Sequence, residues 1–470
     1  MGYRRHLERI QAPVVAFPLS VVTALVTGLA LESATGSLET ASMLAITVFC
    51  IGLWILTPIP PAYTGVLGIG LLAIVFSPAA ALTGFQQPAT WLIGFGLLMG
   101  EATRRSGLAI WAGHRLAAAT LSSASKPSPL QAYRRLLLGL ALGAHALALF
   151  IPSSLVRVLI LAPVLLEIGS RFDSREARVG IFLGPLFASF YGSSGILTAD
   201  LPNIIIAEFG QSLGNHRIGW AEWALQLYPI MGLTRVLLVV GIVYLLFRPP
   251  SDAAGDSVAF DGRTHTAGSA ERRMGAFLLV GALVWATDFV HGFHPVVGAV
   301  AVVALAFLPG IGVVDFETVG TETDFSILFF IAAVFAIGDG LAATGFTDTA
   351  AESLLALAPM DAPLPIVLAF VFVCTVLLAF SMEGLAVASV FTPILISYAE
   401  AAGLPLEPVL LTEAIALTTF FFPYQSAVLV VILAQGVVDA GELIKALVLC
   451  SLATIVLLLP LQLALFGLVY

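Results

Sequence analysis

Apolar runs follow one another along most of the chain, with short polar segments between them. Each run is about twenty residues long, enough for an α-helix to cross a hydrocarbon core roughly 30 Å thick. A transmembrane β-barrel would instead show alternating segments of about ten residues, a pattern that the sequence lacks. The runs therefore predict eleven spanning helices, at residues 13–31, 40–57, 61–82, 90–120, 178–210, 222–247, 274–291, 294–310, 325–357, 407–436 and 441–468.

Two further apolar segments, 135–170 and 364–399, each contain a polar interruption. The first reads LFIPSSLVRVLILAP over Leu149–Pro163, and the second reads LAFSMEGLAV over residues 378–387. Lipid cannot satisfy hydroxyls or a guanidinium, so these polar residues need protein or a water-filled cavity around them. We interpret both segments as re-entrant hairpins with polar tips. The predicted fold is an all-α polytopic membrane protein of about eleven spanning helices and two re-entrant hairpins.

Composition supports the membrane class. Hydrophobic residues make up 59% of the 470 residues, charged residues 10%, and mean hydropathy is +1.03. Soluble domains carry roughly 25% charged residues, so a soluble protein is excluded. No phosphate-binding loop of the ATPase type is present, which weighs against a primary pump. Cys50, Cys374 and Cys450 lie within apolar runs and are interpreted as small core residues, so no metal site or cofactor is predicted beyond a coupling Na⁺ or H⁺.

Basic residues indicate the orientation. Most of the 20 lysines and arginines fall on one side of the membrane in this topology, and positive charge is concentrated in cytoplasmic loops. We therefore expect a cell (inner) membrane protein with its amino terminus in the cytoplasm and its carboxyl terminus outside. A small anion and the lipid bilayer are the expected partners, and no nucleic-acid partner is predicted. The residues that set this orientation are at positions 4, 5, 9, 115, 126, 134, 135, 171, 175, 178, 248, 263, 272 and 273.

An internal repeat is visible around two similar segments, GLLMGEATRRSGL at 96–108 and AVFAIGDGLAATGF at 333–346. Each is followed by a predicted hairpin, an interrupted span and a final span. The interruptions read GSSGILTADLPN at 192–203 and FFPYQSA at 421–427. Each copy has an odd number of crossings, so the copies are predicted to be inverted. Inverted repeats with broken helices in matching places indicate a transport site near the membrane midplane.

This repeat divides the chain into four parts. Residues 1–39 form the amino-terminal tail and first span, and residues 248–273 form a polar cytoplasmic linker. The first repeat, 40–247, contains hairpin 135–170 and broken helix 178–210. The second repeat, 274–470, contains hairpin 364–399 and broken helix 407–436.

The tips and breaks carry the candidate chemistry. At the first tip, serine hydroxyls, a helix amino terminus and Arg157 could together bind a carboxylate or sulfate. In the alternative interpretation, Ser153 only caps the helix and Arg157 snorkels to the cytoplasm. At the second tip, Glu383 is a functional candidate by its position, or else is solvated in an outer cavity. An ion pair between Arg157 and Glu383 is a further hypothesis. At the breaks, carbonyl oxygens of unwound backbone and side-chain hydroxyls are suitable ligands for a monovalent cation, and Asp200 could instead carry a proton. In the alternative interpretation, each break is only a proline kink.

Two sets of side chains follow from this. The substrate-binding candidates are Ser153, Ser154, Arg157, Asn203, Ser381, Glu383, Gln425 and Ser426. The candidates for binding Na⁺ or H⁺ are Ser153, Ser193, Ser194, Thr198, Asp200, Glu383 and Pro423.

Both tip-and-break pairs resemble the divalent anion:sodium symporter family of the ion transporter superfamily, which carries dicarboxylates, citrate and sulfate. LPNIIIAE at 201–208 is similar to the family's first broken helix, and PYQSAVLVV at 423–431 is similar to the sulfate-type second one. The resemblance covers the chain from about residue 40. It implies sodium symport of a small anion by an elevator movement, in a homodimer whose interface is made by the scaffold helices.

The sequence departs from the family at both hairpin tips. Ser153-Ser154-Leu155 stands where the family has Ser-Asn-Thr, and Ser381-Met382-Glu383 stands near the second such position. The lost asparagines and threonines are side chains that contribute to sodium and substrate sites in the family. Arg157 would repel Na⁺ and could replace its charge, which favours an exchanger or a proton-coupled carrier.

The sequence thus predicts secondary active transport of a small anion or dianion such as a dicarboxylate or sulfate, and no enzyme activity. The alternatives are a sodium-independent exchanger or proton-coupled carrier of a neutral, zwitterionic or metalloid substrate, and a polytopic membrane enzyme.

Overall fold

The computed structural model describes residues 13–56, 60–121, 128–250 and 266–470, and every regular element in these ranges is helical. The basic amino-terminal segment and most of the predicted cytoplasmic linker lie outside the described residues.

Twenty-five α-helices are numbered here in chain order. They are α1 Pro13–Thr35, α2 Leu38–Leu56, α3 Pro61–Val75, α4 Pro78–Ala81, α5 Thr83–Gln86, α6 Pro88–Ser106, α7 Leu108–Leu121, α8 Pro129–Ala146, α9 Ser154–Gly169, α10 Arg175–Tyr191, α11 Leu201–Ser212, α12 Trp220–Leu227, α13 Arg235–Leu246, α14 Ser269–Ala286, α15 Asp288–His291, α16 Val296–Ala306, α17 Phe316–Glu322, α18 Ile327–Ala343, α19 Phe346–Leu357, α20 Leu364–Ala379, α21 Gly384–Ala402, α22 Leu406–Leu417, α23 Ala427–Ala434, α24 Ala440–Ala453 and α25 Leu459–Val469.

The helices that could cross a membrane unaided are fewer than the predicted spans. Among the described residues, four are long and apolar enough: Val15–Ser33, Trp220–Leu246, Gly384–Ala402 and Ala440–Val469. A bent pair makes a fifth, and shorter apolar helices occupy several of the other predicted spans. Length and composition therefore establish a multi-pass helical protein, while the count of eleven crossings stays a prediction.

Two of the spans predicted as continuous, 90–120 and 325–357, are each interrupted at a left-handed glycine, which corrects those predictions. Gly107 ends α6 with φ 76°, and Gly345 precedes α19 with φ 72°. These left-handed conformations end a helix, and glycine adopts them without a Cβ penalty. In the second case, α18 and α19 meet at an angle of 76°, as in a broken span or a re-entrant segment.

Both halves of the chain end in a span with a π-helical turn. Tyr228–Thr234 joins α12 to α13, and Thr454–Leu458 joins α24 to α25. Pro229 is the second residue of the first π-turn, and Pro460 lies two residues after the end of the second. Each proline lacks a backbone N–H and so removes one hydrogen-bond donor. π-Turns occur frequently at functional sites. Their matching places add to the resemblance between the two halves.

The helices around the two interruptions pack crosswise. We call α8 and α9 the first hairpin, α20 and α21 the second hairpin, Gly192–Asp200 the first break and Thr418–Ser426 the second break. Each hairpin packs against the helix that leads into the break of its own half, α10 or α22. The helix that leaves each break packs against the opposite hairpin, α11 on α21 and α23 on α9. This exchange brings both hairpin tips to the two breaks.

Candidate functional site

The first hairpin tip is held in an uncommon backbone conformation. Ser153 has φ 87°, sparsely populated for a residue other than glycine, and its hydroxyl caps α9 by accepting from the Val156 N–H at 3.5 Å. The neighbouring Ser154 donates its hydroxyl to Asp200 Oδ1 at 2.8 Å. Ser153 therefore acts as the helix cap, and Ser154 joins the tip to the first break.

Arg157 is completely buried, so its guanidinium does not snorkel to the surface of the protein. Its Nη1 donates to the carbonyl oxygens of Ile151 and Ala199 at 2.8 and 2.9 Å. Its Nε and Nη2 donate to the hydroxyl and carbonyl of Ser189 at 2.8 and 3.1 Å, and Nη2 also reaches Ser154 Oγ at 3.2 Å. A guanidinium has five N–H donors, and these contacts engage all of them. Arg157 therefore ties the first tip to both sides of the first break, and a direct anion contact would need one of these bonds to open.

The polar residues of the first break mostly support its backbone. Ser193 donates to the Phe190 carbonyl at 2.5 Å, and Ser194 donates to the Met231 carbonyl at 3.0 Å. Asn203 Nδ2 donates to the carbonyls of Ser193 and Ile196 at 3.0 and 3.1 Å. Thr198 accepts from a tryptophan of α12, Trp220, at 3.0 Å. Asn203, in the first turn of α11, has a buried Oδ1 with no hydrogen-bond partner among the described residues.

The second tip and second break are joined by Gln425. Its Nε2 donates to the Ala379 carbonyl of α20 at 2.9 Å, and its Oε1 accepts from the N–H groups of Phe421 and Phe422 at 2.7 and 2.8 Å. Ser426 caps α23 by accepting from the Val428 N–H at 3.3 Å. Pro423 begins a single 3₁₀ turn and offers only its carbonyl.

Glu383 caps the second hairpin helix. Its carboxylate accepts from the Leu385 N–H at 3.0 Å, while Ser381 is exposed. The adjacent Gly384 lies beside the helices that flank the two breaks, because a Cβ added there would lie 3.9 Å from Pro202 Cγ in α11 and 3.8 Å from the Leu417 carbonyl oxygen in α22. The second tip, with Glu383, therefore lies near the segment that carries Asp200. The hypothetical ion pair between Arg157 and Glu383 is not formed in this conformation.

Sequence reasoning missed two completely buried ionisable side chains, Arg235 at the start of α13 and Glu413 in α22. Arg235 donates hydrogen bonds to the hydroxyl and carbonyl oxygens of Thr418 in the second break. Both carboxylate oxygens of Glu413 contact the Thr392 hydroxyl, at 3.0 and 2.9 Å. The signal was present in both cases. A single charged residue within an apolar span is a functional candidate by default, but that rule was applied to the tips and breaks and not to the spans that contain Arg235 and Glu413.

Helices interrupted near their middle, with buried polar backbone at the interruptions and two polar tips beside them, define a secondary transporter. The family model described as the sodium:sulfate symporter transmembrane region matches residues 13–469. The chain belongs to this family of membrane transporters, which confirms the predicted family and the prediction that the protein is not an enzyme.

Known relatives include the L-tartrate/succinate antiporters of Escherichia coli strain K12 and of Shigella dysenteriae serotype 1. Each is 27% identical over 451 residues, covering 87% of this chain and 88% of the relative. The crystal structure of the Alcanivorax borkumensis YdaH transporter covers 92% of this chain and 98% of its own, with a TM-score of 0.54 and 17% identity. This last likeness concerns the fold alone.

Proposed function

We propose that the protein is a sodium-independent antiporter of dicarboxylates such as tartrate and succinate. The family places it among secondary carriers of dicarboxylate-like anions, and its curated relatives are named as tartrate/succinate antiporters. The observation that carries the proposal is the position of Arg157 within a set of oxygen atoms at the junction of the first tip and first break.

The atoms around Arg157 are of the kind that would otherwise hold a monovalent cation. They are carbonyl oxygens of Ile151, Ala199 and Ser189 together with the hydroxyls of Ser154 and Ser189. Unwound carbonyls and the carboxyl ends of half-helices bind coupling ions in transporters with broken helices. A guanidinium held by covalent bonds supplies positive charge there in every state, so no sodium ion has to enter or leave with the substrate.

The substrate would then lie between the two tips, against Ser153, Ser154, Asn203, Glu383, Gln425 and Ser426. In this proposal the hairpins are re-entrant, the two repeats are inverted, and the broken helices move with the hairpins as an elevator against a dimeric scaffold. The amino terminus is cytoplasmic and the carboxyl terminus lies outside. The crosswise packing of hairpins and breaks supports a moving unit that includes both tips.

Exchange in proteoliposomes tests this function. Vesicles loaded with unlabelled succinate should take up labelled succinate or tartrate at equal rates in sodium and choline buffers, and vesicles without internal dicarboxylate should take up little. Arg157→Ala should lose at least about tenfold in exchange rate, because a buried oxygen cluster is left without its positive charge. Arg272→Ala, which removes an exposed arginine at the start of α14, is the matched control and should exchange normally.

Uptake into empty vesicles that rises steeply with an inward sodium gradient would contradict the proposal, above all if Arg157→Ala responds to sodium in the same way. A requirement for sodium that appears only in Arg157→Ala would support it, because the vacated oxygen atoms would then need a cation.

A second candidate is a proton-coupled carrier, favoured by the packing of Gly384, which follows Glu383, beside Pro202, which follows Asp200 by two residues. Two neighbouring carboxylates beside an anionic substrate repel it unless one of them carries a proton. A pH gradient imposed on empty vesicles distinguishes the two candidates. Dicarboxylate accumulation that follows the gradient and is lost in Glu383→Gln would favour the proton-coupled carrier.

A further inference from the structure

Arg235 lies between the two breaks and contacts both. Its Nη1 donates to Thr418 Oγ1 at 2.9 Å and reaches Ser194 Oγ at 3.4 Å. Its Nη2 donates to the Thr418 carbonyl at 2.8 Å and reaches Thr419 Oγ1 at 3.3 Å. The guanidinium also lies over the ring of Tyr191, 5.0 Å from the centroid. Among these groups only neutral oxygens and a ring face the charge.

The carbonyl that Arg235 bonds is at the carboxyl end of a half-helix. Helix α22 ends at Leu417, and Thr418 is its C-cap. The last carbonyls of a helix lack partners within the helix and carry the negative end of its dipole. A buried positive charge at this place is therefore favourable, and it replaces the water or ion that those carbonyls would otherwise need.

The first break has the same arrangement around Arg157, which bonds the Ser189 carbonyl in the last turn of α10. In each half, a completely buried guanidinium thus bonds a carbonyl oxygen at the carboxyl end of the helix that leads into the break. The two arginines come from different elements, the first hairpin and the span after the first π-turn. The two arginines are therefore equivalent in the groups that they bond, and they do not occupy equivalent positions in the two repeats.

We propose that Arg235 is a positioning residue that supplies a second permanent positive charge, at the second break, and holds this break against the first. Its charge stabilises the end of α22, and its two Nη atoms connect Ser194 in one break with Thr418 and Thr419 in the other. This proposal rests on the proposed function, since it extends the replacement of a coupling cation from the first break to the second.

Chemical rescue separates the charge of Arg235 from its hydrogen bonds. Guanidinium and urea are planar and have similar N–H donors, but only guanidinium is charged. Succinate exchange by the purified full-length Arg235→Ala variant should fall at least about tenfold. Guanidinium chloride at millimolar concentration should restore exchange severalfold, whereas urea at the same concentration should restore none. Arg272→Ala should be unaffected by either compound.

Equal restoration by urea and guanidinium, or normal exchange by Arg235→Ala in plain buffer, would overturn the proposal. If Arg235→Ala does not fold, Arg235→Lys and Arg235→Gln take its place, because the first keeps the charge and the second keeps neutral donors. The lysine variant should exchange faster than the glutamine variant, and equal rates would contradict a role for charge.

Thermal unfolding provides a readout that needs no substrate. Guanidinium should raise the unfolding temperature of Arg235→Ala relative to urea, and should not do so for the wild type. If wild-type vesicles exchange no dicarboxylate, the proposed function fails while this comparison still tests Arg235. Equal effects of both compounds on the variant's unfolding temperature would overturn the proposal for Arg235 alone.

Discussion

At the scale of single residues, the site is built by side chains that bond main-chain atoms. Arg157, Asn203 and Gln425 each satisfy carbonyl or N–H groups that the interrupted helices leave without partners. A buried backbone group without a partner is costly in a membrane, where no water is available to replace it. The polar residues of the breaks therefore make their irregular backbone tolerable.

Gln425 provides a test of this role. Gln425→Ala removes a donor to Ala379 and an acceptor for two N–H groups, and should destabilise the protein by about 1–3 kcal/mol. Thermal unfolding of the purified protein should show a lower transition temperature. Gln425→Glu places a buried carboxyl group against the Ala379 carbonyl oxygen, so its transition should also lie below that of the wild type. An unchanged transition in Gln425→Ala would mean that water replaces these bonds.

At the scale of elements, each break is supported by the span that ends its half. The first break lies on the first π-turn, where Gly195 approaches the backbone of Tyr228 and Gly232, and Trp223 donates to the Ser194 carbonyl at 2.9 Å. At the second break, Ser451 of α24 donates to the Phe420 carbonyl at 2.6 Å. Each break thus contacts the terminal span of its own half, at the π-turn in the first half and just before it in the second.

Gly195→Ala tests the contact at the first break. A Cβ there would lie 2.8 Å from Gly232 Cα and 2.9 Å from Tyr228 Cα, distances that only a backbone shift relieves. We expect a lower unfolding temperature and slower exchange. Gly241→Ala in α13 is the control, because its Cβ would meet no atom within 4 Å. Alanine in that helix should be neutral or stabilising by up to about 1 kcal/mol. Equal behaviour of the two variants would contradict the close packing.

At the scale of the whole molecule, a few polar contacts join the unit that contains the breaks to the helices α14–α16. Glu208 of α11 lies 3.2 Å from His294 Nε2. Arg217 donates to the carbonyls of Gly292 and Phe293, and Asp288 accepts from the Trp220 N–H. An elevator movement would have to break these contacts, since they connect parts that would move relative to each other.

Cross-linking tests whether the parts move. In a background without the native cysteines, Glu208→Cys with His294→Cys should be joined by a short bifunctional thiol reagent, and exchange should stop. If the cross-linking reagent is a cleavable one, cleaving it should restore exchange. The matched pair, Gly169→Cys with Arg178→Cys, joins α9 to α10 within the proposed moving unit, because a Cβ at Gly169 would lie 3.7 Å from Arg178 Cα. Exchange should continue when this pair is cross-linked, and full exchange in both cross-linked pairs would contradict the elevator.

The structure also shows which parts of the site could be predicted from the sequence. A serine pair and an arginine within an apolar run identified the first tip, because polar groups at membrane depth must have partners. The same physical rule could not name those partners. Arg235 and Thr418, which are hydrogen-bonded, are separated by 183 positions, and the link from Ser154 to Asp200 spans 46.

The sequence by itself determined the helical membrane class, the family, and the places where apolar runs are interrupted by polar residues. The class and the interruptions follow from local composition, since lipid selects long apolar helices and makes every polar exception conspicuous. The family follows from the resemblance of the two tip-and-break pairs to its motifs. Only the tertiary structure decided which groups these polar residues bond, because a buried donor can be satisfied by any acceptor that folding brings within hydrogen-bonding distance. It directed the donors of Arg157 and Arg235 to the ends of two interrupted helices.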